Sequence, residues 1–310
     1  MDFAFTSEQQ ELKRQARAWL AERYPLDRDW EAPQDDAWAE LAELGWLGVS
    51  VAEEEGGAGL GFLEEAILFE ELGYALYPGP YLATVGLALP MLGEEERAAV
   101  AAGATRWSAE VRGLVPWLDS VERVAADGAS YEARGTSLPT LDATRPLGRL
   151  ERGEGMPLPG EPDVARARAA VACEAVGVAQ RVLELGIAHA STREQFGRPI
   201  GVYQAVSHRL ADTYADVELA RSLAYWCAWC VAEEDEQAPA AAAAAKAFAT
   251  EAAVAACERS IQVHGGTGFT WEHPLHRFYK RALWLEGFGG RPAELRAEVA
   301  DSVLGVAVGV

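Results

Sequence analysis

Three long runs of helical periodicity fill the second half of this 310-residue chain: Val164 to Thr192, Val202 to Glu233, and Ala240 to Val263. No other feature narrows the choice of fold as much. Helices of that length bury their apolar stripes by packing antiparallel into a bundle. The third run is rich in alanine, the strongest helix former, and Pro239 before it suits the first helical turn, where a missing N–H costs nothing. It stops at His264-Gly265-Gly266-Thr267-Gly268-Phe269-Thr270-Trp271-Glu272-His273. Gly265, Gly266 and Gly268 free the backbone for positive φ and let a ligand approach bare N–H groups. By glycine spacing alone, an ordinary C-cap and turn is the stronger reading. The helical pattern resumes from Pro274 to Glu286 and from Ala293 to Val303.

The first half reads differently. Thr6 or Ser7 caps a helix that turns Leu12, Ala16, Trp19 and Leu20 inward, and Ser7 to Gln10 has the capping-box form. A helix from Asp35 to Leu44 ends at Gly45, an extended run follows from Trp46 to Val51, and a Gly-rich turn at 53–61 leads into a helix from Phe62 to Tyr74. Three glutamates in that turn argue against a phosphate cradle. After Pro78-Gly79-Pro80, helices are expected at Val85–Leu92 and Glu94–Ala102. Short strands follow at Val111–Leu118, Val121–Ala125, Ala129–Ala133 and Leu138–Asp142, with a Pro/Gly-rich linker from Arg152 to Asp163.

The formal charge of −21 argues against a nucleic-acid partner, which requires a basic face. It also disfavours an anionic membrane surface. Residues 1–8 lack the basic and apolar regions of a signal peptide, and no stretch is expected to span a bilayer, so a cytoplasmic protein is expected. Cys227 and Cys230 form a C-x-x-C on a Trp-rich helix with no second ligand pair, which reads as packing rather than a redox pair or half a zinc site. Cys173, Cys257 and the five histidines, His189, His208, His264, His273 and His276, offer no metal spacing either.

Three motifs occur in order: Arg193-Glu194-Gln195-Phe196-Gly197, Tyr203-Gln204-Ala205, and Gln262-Val263-His264-Gly265-Gly266. Here the chain resembles the acyl-CoA dehydrogenase family of flavoproteins, whose C-terminal domain carries R-x-x-F-G, F/H-Q-A and Q-x-x-G-G-x-G at about this spacing. The resemblance covers nearly the whole chain and includes Glu70-Glu71-Leu72-Gly73 and Leu141-Asp142-Ala143-Thr144-Arg145. It implies a mainly α fold with an N-terminal helical domain (1–80), a shrunken middle β-domain (81–163) and a C-terminal four-helix bundle (164–310). It implies FAD as cofactor, an acyl-CoA thioester as substrate, and α,β-dehydrogenation as the reaction. Arg193, Phe196, Gln204, Gln262, Gly265 and Gly266 match the residues that clamp the ADP half of a flavin whose ring sits in the adjacent subunit.

The departures from the family are equally informative. The T-E-P-x-x-G-S-D and W-I-T/S segments that hold the flavin ring and thioester are missing. The reaction needs a carboxylate to take the α-proton. Aligning Lys280-Arg281-Ala282 with the family's R-D-A places Gly289 at the usual base, and the alternative base on the first bundle helix falls at Ala167. Glu286 and Glu174 are the nearest substitutes, although each is expected to serve an ordinary polar role. Three readings follow. The chain is a base-lacking subunit paired with a full-length relative in a hetero-oligomer, of the type that acts on bulky steroid-CoA substrates in bacteria. Alternatively it is a self-sufficient dehydrogenase with a relocated base, or a flavin-free binding or scaffold protein on the same fold.

Overall fold

The computed structural model describes residues 5–30, 32 and 35–305, so the ends of the first and last expected domains lie outside the described residues. The N-terminal part holds α1 (Ser7–Arg23), α2 (Trp38–Glu43), α3 (Phe62–Tyr74) and α4 (Glu94–Ala101). Thr6 caps α1: its hydroxyl accepts from the Gln9 N–H at 3.2 Å while the Gln9 side chain accepts from the Thr6 N–H at 3.0 Å. The run Trp46–Val51, expected as extended, is instead a 3₁₀ turn at Trp46–Gly48 followed by further turns. Trp46, Leu47, Val49 and Val51 are all buried there, and a coiled turn directs successive apolar groups inward where a strand alternates them. The Val85–Leu92 helix is a π-helical turn, Leu82–Ala88, closed by a 3₁₀ turn at Leu89–Met91.

Seven short strands follow: β1 (Trp107–Ala109), β2 (Val115–Pro116), β3 (Arg123–Ala126), β4 (Ala129–Glu132), β5 (Gly135–Leu138), β6 (Leu147–Leu150) and β7 (Met156–Pro157). They form two sheets, ordered β1-β3-β4-β7 and β2-β6-β5. Three strands were not expected. β1 pairs in parallel with β3, Trp107 opposite Arg123; β6 sits between β2 and β5; and β7, inside the presumed linker, pairs Met156 with Ser130. The expected Val111–Leu118 strand shrinks to two residues, and the one at Leu138–Asp142 lies earlier, at β5. Pairing partners distant in sequence fix these limits, and local propensity does not report them.

The C-terminal part comprises α5 (Val164–Thr192), a hairpin of β8 (Glu194–Gln195) and β9 (Arg198–Pro199), then α6 (Gln204–Ala232), α7 (Ala238–His264), α8 (Leu275–Gly287) and α9 (Pro292–Leu304). α5 packs on α3, α6 and α7, and α7 packs also on α8 and α9. Gly177 allows α5 to touch α3; a Cβ there would stand 1.9 Å from the Glu70 carbonyl oxygen. One apolar core runs through the N-terminal helices, the β segment and the bundle. By length and apolar composition 238–269 would cross a membrane, contrary to the sequence-based expectation, but 67% of its most apolar window is buried inside the protein.

Two buried ionic clusters join the parts. In the first, Glu70 and Glu71 of α3 accept from Lys13 (2.8 Å to Glu70), Arg17 and Arg221, with the Tyr225 hydroxyl donating to Glu70 at 2.7 Å. In the second, Arg281 of α8 donates to Asp142 (2.6 Å), Glu174 (2.7 Å) and Thr144 (2.6 Å), and Arg145 also pairs with Glu174. Burial, with Arg281 alongside, brings Arg145 down to about 9. Burial would raise the Asp142 carboxyl, but Arg281, Thr144 and Arg145 together hold it below its ordinary value.

Candidate functional site

α5 and α7 end together, since His189 near the close of α5 stacks on His264 at the close of α7, ring centroids 4.3 Å apart. Four connections meet at this end of the bundle. Arg193 is the C-cap of α5, its N–H donating to the His189 carbonyl at 2.9 Å. Phe196 and Gly197 form the tip of the β8–β9 hairpin at φ +54° and +80°, a conformation uncommon for a bulky residue, and Phe196 is 92% exposed. Gln204 opens α6, and Gln262 lies in the last turn of α7. Gly265 is the α7 C-cap at φ +61°, and it shares a 3₁₀ turn with Gly266; open space stands where either residue's Cβ would be. The six residues matched to a flavin clamp thus collect on one end, and all but Gly265 are exposed.

This end is cationic on an acidic body. Most arginines of the chain are paired with carboxylates, as Arg97 is with Glu55 and Arg168 with Glu298. Arg193, Arg198 and Arg209 are exposed and have no carboxylate partner among the described residues. Beneath the loop, His273 lies against His264 at 4.5 Å. Burial, then His264, His189 and His276, bring His273 down to about 4, so at neutral pH it packs against the other rings uncharged. Exposed guanidiniums beside bare backbone N–H groups suit a diphosphate.

A cavity of about 540 Å³ opens at the other end, between the β segment and the starts of α5 and α7. Leu87 and Met91 from the π-helical and 3₁₀ turns, Val171, and Phe288 give it apolar walls. Ala167 and Gly289, the two positions matched to the family's base, both line it. No carboxylate comes from either. The acids on the lining are otherwise engaged or peripheral: Arg152 pairs with Glu110 and with Asp127, Asp163 caps α5 by accepting from the Arg166 N–H at 2.8 Å, and Glu161 is exposed. Glu286 and Glu174 do not line the cavity. Glu174 is buried between Arg145 and Arg281, which corrects its candidacy as a base; it lies about two turns beyond Ala167 along α5, past the cavity lining. Glu286 is half-buried, and burial followed by Glu251 raises its carboxyl.

Lys246 was not singled out by the sequence reading. It is buried, lines the cavity, and donates to the Gly290 carbonyl at 2.6 Å and the Glu286 carbonyl at 3.4 Å, binding the end of α8 from a neighbouring helix. Burial, then Arg168 and Arg112, bring its amine down to about 8. A lone charge in the Ala240–Ala249 run was the available signal. Along α5, Ala167 and Arg193 are separated by 26 residues, about 39 Å at a rise of ~1.5 Å per residue.

Two family profiles match the chain: acyl-CoA dehydrogenase, N-terminal domain, over residues 6–98, and acyl-CoA dehydrogenase, C-terminal domain, over residues 153–304. Among curated proteins, acyl-CoA dehydrogenase IpdE2 of Mycobacterium tuberculosis is 36% identical over 264 residues, covering 80% of each chain. The chain belongs to the acyl-CoA dehydrogenase family. It is therefore an oxidoreductase of a FAD-dependent class. Among solved structures, a chain of the ChsE4-ChsE5 complex from Mycobacterium tuberculosis superposes with a TM-score of 0.86 at 24% identity, covering 99% of this chain and 100% of the other. A chain of the Tcur3481-Tcur3483 steroid acyl-CoA dehydrogenase gives 0.82 at 25% identity, covering 96% and 98%. The two profiles leave residues 99–152, which hold β1 to β6, between them.

The four cysteines are free and buried. Burial pushes the Cys227 thiol up to about 12 and raises Cys230 as well. Native protein is expected to give the same mass with and without reductant and to leave Cys227 and Cys230 unmodified by a thiol reagent until it is denatured. A two-dalton difference assigned to that pair would overturn this. Among the described residues, no group of three His, Cys, Asp or Glu side chains is placed to hold a metal ion.

Proposed function

We propose that this chain is the base-lacking subunit of a hetero-oligomeric, FAD-dependent acyl-CoA dehydrogenase, paired with a full-length relative and acting on a bulky, steroid-type CoA thioester. The observation that carries this reading is the separation of the two ends of α5: the cationic clamp at Arg193 lies about 39 Å from the cavity at Ala167. One dinucleotide does not bridge that distance within one chain, so a flavin clamped here is seated in a neighbour. The cavity supplies no carboxylate at Ala167 or Gly289, so the α-proton is taken by a group from the other subunit. The heteromeric ChsE4-ChsE5 complex and the steroid enzyme among the structural relatives support the same assembly and substrate class.

Within that assembly, bound FAD would supply the hydride acceptor. The residues of this chain bind and orient. Arg193 meets the diphosphate through its fork of donors, Gln204 and Gln262 donate to the diphosphate or ribose, Phe196 packs beside the ribose or adenine, and Gly265 and Gly266 bring backbone N–H groups within reach. Arg193→Ala in the assembled complex is expected to weaken flavin retention by ~1.5–3 kcal/mol, the value of a charged hydrogen bond, or about 10- to 150-fold. Flavin content after gel filtration measures it, and an unchanged content counts against the clamp.

A further inference from the structure

Ten tryptophans occur in the chain, and Trp271 alone is exposed; nine are buried or half-buried. It stands 70% open on the loop that follows the Gly265–Phe269 turn. That loop is anchored. Gly268 is buried, where a Cβ would stand 2.5 Å from the Ile261 carbonyl oxygen, and His273 lies against His264. The indole is fixed from α8, with the His276 ring edge-on at 4.6 Å and the Lys280 ammonium 4.7 Å from its centroid. Exposed Phe196 and Phe269, 92% and 74% open, share this end of the bundle with the unpaired Arg193, Arg198 and Arg209. A fixed aromatic face among unpaired cations suits a ligand that is itself aromatic and anionic.

We propose that Trp271 is a stacking platform for a purine nucleotide, receiving the adenine of the diphosphate held by Arg193, with Lys280 behind the ring. This rests on the clamp reading above and adds to it a residue that lies outside the three motifs. A protein surface covering the indole is the competing outcome. The geometry favours the nucleotide, because Lys280 beside the ring and the arginines at the same end of the bundle have no carboxylate partner among the described residues.

The test uses acrylamide quenching, which reads the exposed tryptophan selectively; Trp271→Phe identifies its contribution. The chain and its complex with the full-length partner are titrated with ADP while equilibrium dialysis measures binding. The flavin-loaded complex is compared with the same complex stripped of flavin. The expected result is that ADP, and flavin in the complex, shield Trp271, that Trp271→Phe retains most of the affinity, and that Trp271→Ala loses about 5- to 150-fold. ADP binding with Trp271 still open to quencher overturns the platform and leaves the clamp standing. Shielding of Trp271 in the flavin-free complex assigns it to the protein interface and overturns the platform. Failure of the chain and of the complex to bind ADP removes the clamp and the platform together.

Discussion

Purified alone, the chain is expected to carry little flavin, and co-expression with a full-length partner is expected to yield one flavin per heterodimer rather than two. Each flavin in this family requires a ring pocket from one subunit and an ADP clamp from its neighbour. This chain has residues that match the clamp, but its β segment lacks the family's ring-holding segments. A ligand held by its ADP half keeps only part of its binding surface, against a cost of association of ~4–15 kcal/mol. In the heterodimer the partner's ring pocket receives this chain's clamp, while the partner's own clamp faces a chain without a ring pocket. Flavin absorbance per mass of protein, for the isolated chain and for the complex, measures the ratio. Stoichiometric flavin with turnover of an acyl-CoA by this chain alone would refute the half-site reading, and Glu286 would then be the first residue to replace. A chain that acquires no flavin in any complex would favour a binding or scaffold role.

Glu174→Ala is expected to lower stability by about 3–5 kcal/mol, because it leaves two buried guanidiniums side by side without their shared carboxylate. For a chain of this length, that corresponds to a fall of roughly 5–8 °C in the unfolding midpoint. Arg145 is the more exposed to this loss, since its Nε and Nη1 have no partner of their own and its guanidinium already lies against Trp117, 4.6 Å from the ring centroid. Glu174→Gln retains shape and one acceptor, and its loss should be smaller. Glu286→Ala, at a half-buried side chain, should cost within about 1 kcal/mol. Thermal unfolding of the three variants measures the order. A Glu174→Ala protein that unfolds at the wild-type temperature but has lost activity in the complex would return Glu174 to the catalytic candidates.

The long helices were legible because each signals itself locally. Val164–Thr192 was read to the residue, and the other helices of the second half to within two, since helical periodicity, Pro239 and the following glycines mark ends through near-neighbour chemistry. The residues matched to a clamp could be picked out for the same reason: Arg193, Gln204 and Gln262 sit at helix ends in motifs a few residues long. β1, β6 and β7 were not legible, because a strand of two to four residues exists only through a partner elsewhere in the chain, as Trp107 does opposite Arg123. Run 46–51 failed likewise, its consecutive burial being set by what packs around it. The sequence by itself determined the helices, their order, and the lack of a carboxylate at Ala167 and Gly289. Only the tertiary structure decided that those two positions share one cavity with Lys246, that Glu174 is held between two arginines, and that Arg193, Arg198 and Arg209 stand at the opposite end with no carboxylate partner among the described residues. Glu174 and Arg281 are 107 residues apart in sequence, and charge pairing at such separation depends on how whole helices dock rather than on what any stretch of chain prefers.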